Sequence, residues 1–169
     1  MAPATSVLRL LCVAAVAAVA NPAPAAPKNS VPMPDLTKGG TRPAEAKHDW
    51  NLGPTGLRGW MHCDKFVTSD ARQILVTKVD SGSPAAANFK VGDVLLGVGG
   101  QPFASDPRSE FGRAISAAEA AGGKLAISRW RDGKSEEVFV ALPVLGGYAA
   151  TAPFDCPKSQ KLRELGCKA

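Results

Sequence analysis

The chain has 169 residues, 45% of them hydrophobic and 6% aromatic. That is room for one ordinary domain with tails, and for a core built mainly from Val, Leu, Ile and Ala. The net charge is +5, but Lys and Arg are scattered along the chain. Diffuse charge of this size favours solubility and weak attraction to anionic surfaces, and it excludes the basic stripe or patch that a nucleic-acid binder needs.

In chain order, residues 1–20 read as a secretory signal peptide. Arg9 gives a positive start, Leu10 to Ala20 is an uncharged apolar run, and Ala18-Val19-Ala20 supplies small residues at a cleavage site. Cleavage is expected after Ala20, with Ala25 as the alternative. The run is too short for a membrane anchor, which needs about twenty apolar residues. Leu10-Leu11 lacks the small residue that precedes a lipidated cysteine, which speaks against Cys12 as a lipid site. No second hydrophobic span follows, so the mature chain is expected to be secreted or periplasmic, without stable membrane insertion.

Residues 21–48 carry Pro22, Pro24, Pro27, Pro32, Pro34 and Pro43 and almost no large apolar side chains. They are expected to form an extended, mobile linker. A folded unit is expected over 49–145, beginning near Asp49-Trp50. Gly53 to Gly59 is glycine-rich, and Trp60 to Cys63 reads as the first strand. Asp64 to Asp70 is polar and reads as a hairpin connection. Ile74, Val76 and Val79 lie in a β-branched run that favours strand. Ser83 before Pro84 reads as a cap for a short helical turn over Ala85, Ala86 and Ala87. Gly92-Asp93 then turns the chain into the short apolar run Val94 to Val98, which suits a strand buried on both faces.

Asp106 as cap and Pro107 in the first turn predict a helix. Phe111, Ala114, Ile115, Ala118 and Ala121 recur at three- and four-residue steps and give it one apolar face. Gly122-Gly123 stops it. Leu125 to Trp130 alternates as a strand, Arg131-Asp132-Gly133-Lys134 makes a hairpin turn, and Val138 to Leu142 returns. Pro143 ends that strand or marks an edge. The tail, 146–169, holds a short charged helix candidate from Ser159 to Leu165.

With Cys12 removed, Cys63, Cys156 and Cys167 remain in a compartment that permits disulfides. The short loop between Cys156 and Cys167 makes their pairing the preferred one. Cys63 is then the odd cysteine, either buried and inert or a reactive thiol.

The order strand, capped turn, buried strand, with the words GSPAAANFKVGDVLLGVGG and RDGK, resembles a PDZ domain. The form it is most similar to is the secreted bacterial one found beside Deg-type proteases. The resemblance implies an α/β (α+β) fold, a small antiparallel sheet or partly open barrel capped by two helices. It implies a non-enzymatic module that binds the C-terminus or an exposed strand of a partner protein. In this family a glycine-containing loop points backbone N–H groups at the terminal carboxylate, and the peptide adds as a strand beside the long helix. The matching positions are Leu57, Arg58, Gly59 and Trp60, with Met61 and His62 continuing the pairing strand. Phe111, Ile115 and Ala118 match the helix wall, and Phe111 implies an apolar preference at the third residue from the peptide end. Arg58 departs from the apolar residue usual at its position; it implies either an added contact to a carboxylate or a rebuilt loop. Gly53, Gly56 and Gly59 also read as plain turns, and Phe111 as plain core.

DWNLGPTGLRGWM, LPVLGGYAATAPFDCPKS and the late Gly-Cys resemble, more weakly, the N-terminal part of large secreted bacterial proteins of unknown function. That likeness implies that the unit is an accessory module. The alternative function is a scaffold or assembly domain whose groove is vestigial or filled by its own tail. Regulation of a protease on another chain is a third implied role.

An enzyme is not expected. The two histidines are His48 and His62. His62 and Cys63, adjacent on a strand, would point to opposite faces and would not jointly hold an ion. No CxxC, HExxH, P-loop or Gly-x-Ser-x-Gly word occurs. No metal or cofactor is expected.

Overall fold

The computed structural model describes residues 33–147 and 156–166. Among the described residues seven strands form one antiparallel sheet: β1 (Trp50–Asn51), β2 (Leu57–Trp60), β3 (Ile74–Val79), β4 (Val94–Val98), β5 (Gln101–Pro102), β6 (Lys124–Arg131) and β7 (Lys134–Ala141). The strand order is β1-β2-β3-β4-β6-β7, with β5 folded back on β4. Two helices complete the fold, α1 (Pro107–Ala120) and α2 (Pro157–Gly166). This is the α/β architecture expected of the chain.

α1 begins as the sequence dictates. The Asp106 carboxylate accepts the backbone N–H of Arg108 at 3.0 Å, and Pro107 occupies the first turn. Phe111, Ile115 and Ala118 are buried and Ala114 packs beside them. They meet Leu52, Leu57, Met61, Ile74, Val76, Leu95, Leu125, Ile127 and Val140 from the sheet to form the main core. β6 and β7 pair along their full length around Asp132-Gly133, both at positive φ, as a two-residue hairpin turn requires.

The opposite face of the sheet is covered as well. Leu36, Trp60 and Val94 form a second buried cluster, with Ala46, Leu75, Leu96 and Trp130 around it. This bears on the linker expected over 21–48, of which residues 21–32 lie outside the described residues. Its described part, from residue 33, is seated on the sheet. Leu36 N–H donates to Gln73 Oε1 at 2.7 Å, and Gln73 Nε2 donates to Asp35 Oδ1 at 2.9 Å. One leucine and two polar clamps suffice to fix a segment whose composition reads as loose.

Three expectations are corrected. The strand expected at Trp60 to Cys63 lies at Leu57–Trp60 as β2, with β1 before it; Met61 is fully buried but has left the sheet. The chain from Ser83 to Asn88 forms hydrogen-bonded turns rather than a helix, and the Ser83 hydroxyl, buried against Gly56, has no hydrogen-bond partner among the described residues. The second helix is therefore α2 in the tail, close to the expected Ser159 to Leu165. The polar connection from Asp64 does form a tight turn, bridged Asp64 to Val67, with Lys65 and Phe66 at positive φ. The signal segment 1–20, residues 148–155 of the tail and Cys167 lie outside the described residues.

Candidate functional site

A groove of about 480 Å³ runs between α1 and the hairpin that precedes β2. Trp50, Leu52, Gly53 and Pro54 line one side, and Arg108, Phe111, Ile115 and Ser116 line the other. Its floor is apolar because α1 turns its buried face this way. At one end the Arg108 guanidinium lies 5.5 Å from the centre of the Trp50 ring, steered by ion pairing with Asp106 at 3.0 Å. The His48 ring meets Trp50 edge-on at 4.7 Å and Phe66 at 6.0 Å, extending the aromatic rim. At the other end Glu119 and Lys158 form a buried ion pair that ties α2 to α1.

The hairpin is built from local chemistry. Thr55 Oγ1 donates to the Leu52 carbonyl at 2.9 Å and accepts the Leu57 N–H at 3.2 Å. Gly53 and Gly56, both at positive φ, bracket a single 3-10 turn. β1 then pairs with β2 in the register Trp50 with Gly59 and Asn51 with Arg58. β3 takes the other edge of β2. Among the described residues no strand pairs with the other edge of β1.

The expected site residues are divided by this arrangement. Phe111 and Ile115 line the groove, and Ala118 is buried in the core without reaching it. Leu57 and Met61 are fully buried in the main core. Trp60 faces the other side of the sheet, against Leu36 and Val94. His62 is half-buried beyond the end of the strand. Gly59 is packed against Ile74. The expected pocket, with N–H groups of Arg58, Gly59 and Trp60 facing Leu57, Trp60, Ile115 and Ala118, is not assembled, because β1 lies along that edge and Trp60 points away.

Arg58 meets a carboxylate of its own chain. Its Nε and Nη2 donate to Asp49 Oδ1 at 2.9 and 2.6 Å, and Thr77 Oγ1 donates to Asp49 Oδ2 at 2.7 Å. The Arg58 hydrogen bonds hold the Asp49 carboxyl below its ordinary range, and the same contact raises Arg58.

Trp50, Leu52, Pro54 and Arg108 were not foreseen. A signal for the first two was present: Trp50 and Leu52 alternate with polar residues and are separated from Leu57 and Gly59 by Gly-Pro-Thr-Gly, which is the pattern of a short hairpin.

Cys156 is buried, with its Sγ 3.0 Å from Ser159 Oγ, and Cys63 is half-buried. The described residues hold no group of three or more His, Cys, Asp or Glu side chains placed to bind a metal. None of their helices is long and apolar enough to cross a membrane.

The family model described as PDZ domain matches residues 55–142. Comparison with curated proteins finds no match.

Proposed function

The chain belongs to the PDZ family, and from that premise we propose that this protein-interaction module is non-catalytic and receives an extended apolar segment, or an apolar C-terminus, of a partner protein in the groove beside α1. The observation that carries this reading is the groove itself, an apolar trough between a strand edge and the Phe111–Ile115 face of α1. A partner strand would pair with the open edge of β1 and press apolar side chains onto Phe111 and Ile115. A terminal carboxylate would lie toward Arg108.

A second reading has its own support. Because β1 already pairs with the outer edge of β2, a domain whose usual slot is that edge would hold its own chain there, as a scaffold domain with a self-occupied groove. The occupant is the segment before β2, rather than the tail, which contributes Lys158 to the groove wall.

Titration of apolar C-terminal peptides, free and amidated, separates the two. Ser116 lines the groove and is half-buried, so Ser116→Trp blocks it without removing core. Binding by the parent that is lost in Ser116→Trp supports the first reading, and sensitivity to amidation selects the C-terminus over an internal strand. No binding by the parent to any peptide supports the scaffold.

The proposal extends to export as a secreted or periplasmic bacterial protein of the Deg-like kind, starting near Asn21, with Cys156 paired to Cys167. N-terminal sequencing and non-reducing mass analysis of exported material test these points.

A further inference from the structure

We infer that Asp49–Leu52 is a built-in ligand: a detachable strand that gates the outer edge of β2 against partner strands carrying the same chemistry, a carboxylate three residues ahead of a leucine. The inference rests on reading the domain as a receiver of partner segments, and it concerns a different edge from the groove proposed above.

The segment makes each contact that an added strand would make. Its backbone pairs Trp50 with Gly59 and Asn51 with Arg58, and Leu52 N–H donates to the Leu57 carbonyl at 2.9 Å. Leu52 is 3% exposed and sits among Leu57, Phe111 and Ile115. Asp49 is read by two elements at once, Arg58 of β2 and Thr77 of β3. An edge strand held by a carboxylate clamp at one end and a leucine socket at the other is a recognition pattern, because each contact is to a side chain a partner could also supply.

The same segment is built to come away. The strand is two residues long. Asn51 is exposed, and the 480 Å³ groove beside Trp50 and Leu52 leaves space next to it. Tethering through Gly53–Thr55 keeps its effective concentration high, roughly millimolar for a short linker, so an outside strand wins only when the clamp is loosened.

The experiment uses the full chain and a fluorescent Asp-Trp-Asn-Leu peptide, blocked at both ends. Asp49→Ala and Asp49→Asn loosen the clamp while leaving Arg58 and Thr77 free to read the peptide's own carboxylate. Both variants are expected to bind the peptide about tenfold more tightly than the parent, the worth of a weak charge-assisted hydrogen bond. A peptide with Ala in place of Asp should gain by a similar factor, because release of the strand opens the edge to any competitor, but should bind each variant about tenfold more weakly than the Asp peptide because it cannot engage Arg58 and Thr77. Equal binding by parent and variants, absence of binding by all three, or equal affinity of the Asp and Ala peptides overturns the inference. Asp49→Asn preserves shape and keeps the test alive if the Ala variant unfolds. The groove reading is scored separately, by apolar peptides on the parent and on Ser116→Trp, neither of which alters Asp49.

Discussion

Gly59 has no room for a side chain. A Cβ there would stand 2.2 Å from Ile74 Cγ2 and 3.3 Å from Leu75 O. Gly59→Val is therefore expected to cost at least about 2 kcal/mol by overpacking β2 against β3, read as a lower urea midpoint. It would disturb the fold itself, so a glycine that looked like a carboxylate-loop residue is held by packing. Asp93 sets the acid limit. Its side chain is fully buried; burial pushes the carboxyl up, but two hydrogen bonds from Arg131, at 2.6 and 2.7 Å, and the Lys90 N–H outweigh this and leave it below its ordinary value of 3.8. A carboxyl depressed in the folded state binds fewer protons there than in the unfolded chain. Its stabilisation is complete above the ordinary value and is lost as pH falls through the folded one. Asp49 acts in the same direction through Arg58. Thermal midpoints measured from pH 7 down to about 3 should fall steeply only below about pH 4, and Asp93→Asn should be less stable at neutrality with a flatter acid slope.

At the scale of elements, α1 was legible because it obeys three independent rules: a cap, a first-turn proline and a 3.6-residue apolar period. β2 was misplaced by three residues because its strand character comes from pairing on both edges rather than from its own alternation. α2 is fixed to α1 by the buried Glu119–Lys158 pair, 4% and 8% exposed. Lys158→Met alone strands a buried carboxylate and should cost about 3 kcal/mol, whereas Glu119→Leu with Lys158→Met should recover most of that loss. Chemical denaturation of the two single variants and the double variant closes this cycle. A double variant as unstable as the sum of the singles would show that the pair carries no coupling.

Across the whole molecule the sheet is covered on both faces, by α1 on one and by the segment around Leu36 on the other. Leu36→Ala is expected to lower stability by about 2 kcal/mol, at the low end for a buried leucine because its cluster lies at the sheet's outer face. Its Trp60 and Trp130 neighbours should report the change as a red shift in tryptophan emission. A fully mobile linker would give neither effect.

The sequence by itself determined β3, β4 and β6, the long helix, the hairpin at Asp132-Gly133 and membership of the fold class; it missed β5 and started β7 at Val138 rather than Lys134. Those features rest on local chemistry: β-branched runs, capping, glycine turns and periodicity within a few residues. Tertiary structure alone decided that Trp50–Asn51 closes the edge of β2, that Arg58 and Thr77 both donate to Asp49 rather than standing open, and that Trp60 faces Leu36. Each joins residues across the chain, from 7 positions for Asn51 and Arg58 to 28 for Thr77 and Asp49. Such pairings are chosen by the packing of the whole sheet, which no window of sequence contains.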